Sequence, residues 1–128
     1  VSATLFVYGT LLDPAIRGRV LGRPSHPADS VPALLYGCER VFARGHHYPV
    51  LVRRPDGAVD GLLIPRPTAR ERRRLRAYEG SGYRLVRVRV RALSDGEPRV
   101  WAKVFAAHGL GATARPWVPI AVRARRAL

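Results

Sequence analysis

Two short segments of this chain carry residues whose types and spacing favour acid–base chemistry beside a backbone binding loop. The first, Tyr8-Gly9-Thr10-Leu11, follows a run of β-branched and aromatic residues, which predicts a strand that ends in a glycine turn. The second, Tyr78-Glu79-Gly80-Ser81-Gly82-Tyr83, places a carboxylate at the end of a helix, before a glycine-rich loop and an aromatic ring. Together the two segments predict a small polar cavity that contains one acid/base group.

The glycine turn is a candidate source of backbone hydrogen-bond donors. A strand that ends in glycine frees the next N–H groups from pairing within the sheet. The N–H groups of Gly9, Thr10 and Leu11 can then donate to a carboxylate or to a developing oxyanion. The alternative is an ordinary strand-to-helix turn, which uses the same residue types.

Glu79 has no evident local structural role, whereas several of the other acidic residues do. Asp13 and Glu71 are predicted to cap helices, and Asp56 and Asp95 fall in predicted turns. The dipole of a helix disfavours a carboxylate at its C-terminal end, which raises the pKa of that carboxylate. A raised pKa suits a general base at neutral pH. The alternative is that Glu79 pairs with one of the many arginines.

The first half of the chain predicts one short helix among strands. Residues 4–8 form the first predicted strand, and Asp13-Pro14 marks the start of a helix that runs to about Val20. Val31 to Tyr36 and Glu39 to Phe42 are either two short strands or one bulged strand.

A hairpin and a second helix are predicted next. Tyr48 to Arg53 and Val59 to Pro65 are strands, and Pro55-Asp56-Gly57 between them is typical of a hairpin turn. Gly61 indicates close approach by another backbone.

The second helix has a clear start in the sequence. Thr68 and Glu71 have the spacing of a capping box, and the helix runs to about Tyr78. Its arginines at positions 70 and 72–74 are expected to face solvent. Ala69, Leu75 and Tyr78 are expected to be buried.

The remaining sequence predicts a long hairpin and a loop. Arg84 to Leu93 alternates apolar residues with arginine, Asp95-Gly96 forms a turn, and Val100 to Ala106 returns. Residues 108–113 are expected to form a loop, and residues 117–126 either a strand or a helix-like tail.

The order of these elements predicts an α+β fold. One short helix, several strands, a second helix and a long hairpin favour a small mixed β-barrel or curled sheet with flanking short helices. We expect residues 1–128 to form a single domain, because 128 residues with 47% hydrophobic content suit one compact core.

The composition narrows the class of protein further. No apolar run approaches the roughly 20 residues that span a bilayer, and no secretory signal is evident, so we expect a cytoplasmic protein without a membrane partner. Bacterial origin is a further expectation. The single cysteine, Cys38, excludes an internal disulfide. The adjacent pair His46-His47 points to opposite faces of a strand and lacks metal-ligand spacing, so we expect no metal site.

The formal net charge of +14 has two explanations. A basic surface binds nucleic acid, anionic lipid or an acidic substrate. The other explanation is a GC-rich coding sequence, because Lys103 is the only lysine among 23 basic residues and the rest are arginine. We expect no nucleic-acid partner, since interleaved surface aromatics for base stacking are not evident in the sequence.

Four motifs in this order resemble the γ-glutamylcyclotransferase-like (AIG2-like) family. They are Tyr8-Gly9-Thr10-Leu11, Tyr48-Pro49-Val50-Leu51-Val52, Val59-Asp60-Gly61 and Leu75-Arg76-Ala77-Tyr78-Glu79-Gly80-Ser81-Gly82-Tyr83. Their order and spacing match over roughly residues 4–106. The resemblance implies the small mixed barrel described above.

The resemblance also implies an activity. Glu79 would be the general acid/base of an enzyme that cyclises a γ-glutamyl group, releasing 5-oxoproline and an amine or amino acid. The backbone at Gly9, Thr10 and Leu11 would hold the polar end of a small γ-glutamyl substrate.

Three tyrosines complete the site that the resemblance implies. Tyr8, Tyr48 and Tyr83 would line the substrate cavity. No metal and no cofactor would be needed. The leaving group and the oligomeric state stay open.

One position departs from the family pattern. The family has aspartate three residues before the glutamate, where this chain has Arg76. Arg76 either pairs with Glu79 and lowers its pKa, or points to solvent. If Arg76 pairs with Glu79, the chain is better explained as a small-ligand-binding protein of the same fold with little or no turnover. A separate and less favoured alternative, based on the net charge, is a basic nucleic-acid-binding module.

Overall fold

The computed structural model describes residues 4–107 and 110–117, in which six strands and two α-helices occur. The elements are β1 (Leu5–Val7), α1 (Pro14–Leu21), β2 (Val31–Ala43), β3 (Pro49–Ile64), α2 (Ala69–Glu79), β4 (Tyr83–Ala92), β5 (Arg99–Ala107) and β6 (Ala112–Pro116). One-turn 3₁₀ helices lie at Thr10–Leu12 and Pro27–Asp29.

Five of these strands close into a mixed barrel. The strand order is β3-β1-β5-β4-β2, and a further pairing of β2 with β3 closes the ring. β1 runs parallel to β5, whereas the other pairings are antiparallel. β6 pairs with the C-terminal end of β2, at Val41 and Ala43, whereas β4 pairs with its N-terminal end. The predicted α+β mixed barrel with flanking short helices is therefore confirmed.

Helix α1 begins and ends through local chemistry. The Asp13 carboxylate accepts hydrogen bonds from the N–H groups of Ala15 (2.8 Å) and Ile16 (3.4 Å), and Pro14 occupies the first helical position. Gly22 ends the helix with a left-handed φ of 79°. The predicted start of this helix is confirmed.

Helix α2 has the predicted capping box but a different buried face. The Thr68 hydroxyl accepts from the Glu71 N–H at 3.1 Å, and the Glu71 carboxylate accepts from the Thr68 N–H at 2.9 Å. Leu75 is buried as predicted, but Ala69 and Tyr78 are exposed. Glu71 is buried in their place because Arg23 donates to its carboxylate at 2.6 Å.

The hairpin predicted at Pro55-Asp56-Gly57 is wrong. β3 continues through these residues, because β2 pairs with it on both sides of them, from Val31 opposite Leu63 to Phe42 opposite Pro49. Tyr36 pairs with Ala58 and Cys38 with Arg53, so residues 54–57 bulge opposite a single glycine of β2. Of the two alternatives for residues 31–42, one bulged strand is therefore correct.

The hairpin of β4 and β5 is confirmed. Its two strands pair from Tyr83 opposite Ala107 to Arg91 opposite Arg99, around a turn that contains Asp95-Gly96. The loop predicted at residues 108–113 is wrong at its end, since β6 begins at Ala112. His108 and Gly109 lie outside the described residues, as do residues 118–126 of the predicted tail.

Apolar side chains form a core on each side of the barrel wall. The interior is filled by a cluster centred on Phe6, Tyr8, Val59, Val90 and Val104. The two helices cover one part of the outer wall through a second cluster.

The members of this second cluster come from several elements. They include Leu5, Val7, Leu11, Leu21, Ile64, Leu75 and Phe105. Gly61 permits the tight wall, because a Cβ atom at this position would lie 2.3 Å from the carbonyl oxygen of Val7. The close backbone approach predicted at Gly61 is confirmed.

Candidate active site

A pocket opens where β1 ends, between the barrel wall and the C-terminal end of α2. Its cavity is small, with a volume of about 30 Å³, which is room for about two water molecules. Its lining consists of Phe6, Val7, Tyr8, Gly9, Thr10, Leu11, Tyr48, Pro49, Glu79, Tyr83 and Phe105. All seven residues predicted for the site, which are Tyr8, Gly9, Thr10, Leu11, Tyr48, Glu79 and Tyr83, therefore line the same pocket.

The turn after β1 brings backbone donors to this pocket. The one-turn helix uses the N–H groups of Leu12 and Asp13, which donate to the carbonyls of Gly9 (3.0 Å) and Thr10 (3.1 Å). The N–H groups of Thr10 and Leu11 come before the first of these bonds and find no carbonyl within the turn. Gly9 is required by packing, because a Cβ atom there would lie 2.9 Å from Cγ of Pro49.

The opposite wall of the pocket carries Glu79, the last residue of α2. The helix ends directly after it, since Gly80 has φ 78° and ψ −174°, a conformation that is almost restricted to glycine. The Gly80 N–H still donates to the Arg76 carbonyl at 3.0 Å, which holds the end of the helix in place. Glu79 thus lies at a fixed helix terminus and not in a loose loop.

Burial changes the protonation of Glu79. Loss of water raises the pKa of its carboxyl from 4.5 to about 7. The predicted direction of the shift is confirmed, although burial causes it and not the helix dipole. Among the described residues, no arginine forms an ion pair with Glu79. The alternative that Glu79 takes part in a structural salt bridge is therefore wrong for this part of the chain.

The structure also decides between the two alternatives for Arg76. This side chain is exposed and forms no ion pair with Glu79. Its charge is not among the causes of the Glu79 pKa, for which burial alone accounts. Arg76 therefore points to solvent, and the arginine in place of the family's aspartate does not neutralise the Glu79 carboxylate.

Three tyrosines are fixed around Glu79. The Tyr8 hydroxyl donates to the Phe105 carbonyl at 2.5 Å, and the Tyr83 hydroxyl donates to the Pro49 carbonyl at 2.6 Å. The ring of Tyr48 lies 6.0 Å from that of Tyr83, tilted by 56°. Burial is the main cause that raises the pKa of both Tyr8 and Tyr83 well above the ordinary value. Neighbouring acidic groups, including the Glu79 carboxylate, raise it further. Both phenols therefore stay protonated at neutral pH.

The structure adds one contact beside the pocket that the sequence did not indicate. The hydroxyl groups of Tyr78 and Thr10 share a hydrogen bond of 2.5 Å, which joins the end of α2 to the turn after β1. Tyr78 was expected in the core because it follows the apolar stripe of the helix. Its position one residue before Glu79 is the signal that would have placed it near the pocket.

The histidines do not form a metal site in the described ranges 4–107 and 110–117. No group of three or more His, Cys, Asp or Glu side chains there is arranged to hold a metal ion. His46 and His47 are exposed, and the ring of His46 stacks on Tyr48 at 4.5 Å. Across the same ranges, the helices are all too short or too polar to cross a bilayer.

The barrel and its pocket define a small α+β fold with one buried carboxyl group in the pocket, and comparison with known proteins places that fold in a family. The profile of the family "Gamma-glutamyl cyclotransferase, AIG2-like" matches residues 5–119. This chain therefore belongs to the γ-glutamyl cyclotransferase, AIG2-like family.

Two plant proteins are similar in sequence. Protein AIG2 C of Arabidopsis thaliana is 35% identical over 96 residues, which are 75% of this chain and 56% of that protein. AIG2-like protein A of the same plant is 34% identical over 101 residues, which are 79% of this chain and 59% of that protein. The chain thus spans less than two thirds of the length of these relatives.

Solved structures share the fold. A solution structure from Arabidopsis thaliana superposes with a TM-score of 0.76 at 29% identity, covering 99% of this chain and 76% of that one. A structure of a γ-glutamyl cyclotransferase gives a TM-score of 0.63 at 13% identity, covering 88% and 70%. At that identity the second likeness concerns the fold alone.

Proposed function

We propose that this chain is a γ-glutamyl cyclotransferase-type enzyme, which acts by lyase-type or acyltransferase-type cyclisation. It would cyclise the γ-glutamyl group of a small amide to 5-oxoproline and release an amine or amino acid. Family membership supports the reaction class, and the geometry of the pocket supports the roles of individual residues.

The observation that carries this proposal is the environment of Glu79. Its carboxyl is desolvated, has a pKa of about 7 and lacks an arginine partner in the described structure. A general base works best when its pKa lies near the working pH, since it is then both deprotonated and basic enough. A carboxylate kept only for stability would be paired or solvated.

The chemistry requires one group that moves a proton twice. The α-amine of the substrate attacks the γ-carbonyl carbon, and Glu79 takes a proton from the attacking nitrogen. The bond from the γ-carbon to the leaving nitrogen then breaks, and Glu79 returns the proton to that nitrogen. Closure of a five-membered ring gains from proximity, because nucleophile and carbonyl belong to one molecule.

The opposite wall of the pocket supplies the binding groups. The backbone N–H groups of Gly9, Thr10 and Leu11 are proposed to hold the polar end of the γ-glutamyl group. Of these, Thr10 and Leu11 find no acceptor within their turn. Donors that are already fixed bind an anionic oxygen without reorganisation.

The tyrosines are proposed to shape the cavity. Tyr8 and Tyr83 are held by carbonyl acceptors, which keeps their rings in place, and Tyr48 lies against Tyr83. These aromatic walls exclude water from the reacting centre, which keeps the pKa of Glu79 high. The proposed reaction uses no metal and no cofactor, since the substrate supplies both nucleophile and electrophile.

The experiment that tests the proposal measures 5-oxoproline release from a panel of γ-glutamyl amino acids and γ-glutamyl amines. The protein is compared with Glu79→Gln, which keeps the shape of the side chain and removes the base. We expect release by the unaltered protein and a loss of at least 100-fold in the variant, as is typical for removal of a general base. The best substrate identifies the leaving group.

Glu97→Gln is the matched control, because it makes the same chemical change at an exposed position outside the pocket. We expect this variant to retain activity. Binding of a γ-glutamyl compound without turnover would instead support a binding protein of the same fold. The cytoplasmic location and bacterial origin stay predictions, as does the assignment of residues 1–128 to one domain.

A further inference from the structure

The outer wall of the β4–β5 hairpin divides into a covered part and an open part. Near the pocket, Leu85 and Phe105 lie under the helices, as part of the second apolar cluster described above. Farther along the same face, the outward side chains have no helix over them. We call this part, together with Tyr36 of β2, the open face. Its members are Tyr36, Arg87, Arg89, Arg91, Arg99, Trp101 and Lys103.

The open face places like charges directly opposite each other. Arg87 pairs in register with Lys103, and Arg91 with Arg99. Like charges at opposite positions of neighbouring strands destabilise a sheet. The ion pairs of the described residues all lie elsewhere, at Arg23, Arg40 and Arg54, so no carboxylate compensates these cations. An anion on the face would remove the repulsion.

Two aromatic rings lie among these cations with much of their surface in water. Trp101 is 52% exposed and Tyr36 is 53% exposed. The guanidinium carbons of Arg87 and Arg89 lie 4.2 Å and 5.3 Å from the centre of the Trp101 ring. The expectation that the surface lacks interleaved aromatics is therefore wrong.

The third outward arginine of β4 completes the arrangement. The guanidinium carbon of Arg91 lies 5.6 Å from the centre of the Tyr36 ring, and its Nε atom is buried without a hydrogen-bond partner. β4 pairs on one side with β5 and on the other with β2, through Arg91 opposite Leu34. The two rings thus belong to the two strands that flank the arginine-bearing strand.

We propose that the open face binds single-stranded nucleic acid. Phosphate groups would contact the five cations, and unpaired bases would stack on Trp101 and Tyr36. A coding bias towards arginine accounts for the number of cations, but not for two exposed rings set between them. A duplex keeps its bases stacked internally and offers no free ring faces to this flat surface. None of the residues of the open face lines the pocket, so the proposal is independent of the enzymatic activity.

The test is fluorescence anisotropy of a labelled strand of about 16 thymidines, titrated with the full chain between 50 and 200 mM salt. Five cations on phosphates predict a slope of log K against log salt of up to about −3.5. Trp101→Ala is expected to weaken binding by about 5- to 150-fold with little change in the slope, and Trp101→Phe to restore most of the affinity. Trp101 is half exposed, so these changes leave the core intact, and circular dichroism verifies the fold.

The arginines are tested with a matched pair of double variants. Arg87→Ala with Arg89→Ala is expected to make the slope shallower by about 1.4. Arg70→Ala with Arg73→Ala removes the same charge from exposed positions of α2 and is expected to have a much smaller effect. Equal effects of the two double variants would show binding by overall charge and would overturn the proposal.

Two other anionic partners serve as comparisons. Heparin has no bases, so Trp101→Ala is expected to change its binding little. Vesicles containing phosphatidylserine present a lipid surface, and tighter binding to them than to the single strand would overturn the proposal. Binding of all three partners that is equally insensitive to Trp101→Ala would overturn base stacking. Failure to bind the single strand at 50 mM salt would overturn the proposal outright.

Discussion

Glu79→Gln is expected to stabilise the protein at alkaline pH while it abolishes the proposed catalysis. The unaltered carboxyl titrates near pH 7 in the folded protein, against 4.5 as its ordinary value. Between these two values the folded state holds more protons on this group than the unfolded state does. The free energy of unfolding therefore falls as the pH rises, because folding must bury a charge that water would solvate.

The size of this effect follows from the two pKa values. A rise from 4.5 to about 7 is equivalent to about 3 kcal/mol. Below pH 4.5 the group is neutral in both states and costs nothing. Above pH 7 the full cost is present. Glutamine is neutral throughout, so the difference in stability between variant and unaltered protein is expected to grow by about 3 kcal/mol from pH 4 to pH 8.

Urea unfolding of both proteins at several pH values measures this difference. The contributions of all other titrating groups cancel between the two proteins, and Glu97→Gln supplies the same comparison for an exposed glutamate outside the pocket. If the pH dependence for Glu79→Gln were no larger than for Glu97→Gln, Glu79 would be solvated or paired. The argument for a poised general base would then fail, whatever the activity of the protein.

Four further results are expected. The kcat/KM for 5-oxoproline release should fall about tenfold per pH unit below pH 7 and level off above it, since Glu79 must be deprotonated to act as base; a flat profile would exclude this role. Thr68→Ala should lower the free energy of unfolding by about 1 kcal/mol in urea, because the Glu71 N–H loses its capping acceptor. Gly61→Ala should lower it by about 1–3 kcal/mol or prevent folding, because a Cβ atom at this position would lie 2.3 Å from the Val7 carbonyl oxygen; retention of full stability would show that the wall can yield. Tyr83→Phe should cost about 1 kcal/mol of stability, because the Pro49 carbonyl loses its donor, and should reduce kcat/KM; unchanged values of both would argue against a fixed ring.

Features determined by neighbouring residues were predictable from the sequence. Asp13-Pro14 and the pair Thr68 and Glu71 mark helix starts, because a cap is a contact between residues two or three apart. The alternation of apolar residues and arginine from Arg84 onward predicted β4, because successive side chains of a strand point to opposite faces. The four family-like motifs contain all seven of the predicted site residues, which line one pocket in the structure.

Features determined by distant residues were not predictable in this way. Pro55-Asp56-Gly57 has the composition of a turn, yet β2 provides a pairing partner for residues on both sides of it, and the turn becomes a bulge. The solvation of Arg76 and the lack of an arginine beside Glu79 depend on where long side chains point. The exposure of Tyr36 and Trp101 depends on which part of the barrel wall the helices cover. None of these is a property of local sequence.

The short first strand gives the order in which the pocket can be made. β1 has three residues and lies between β3 and β5, and its partner residue in β5 is Lys103. During synthesis the turn at Gly9 emerges early, and β1 can pair with β3 once residues 62–64 are made, but its other neighbour, β5, follows almost a hundred residues after the turn. Closing so long a loop costs chain entropy before its contacts can compensate. A chain truncated before residue 99 is therefore expected to carry Glu79 and the glycine turn without a site between them, so that turnover reports completion of the barrel.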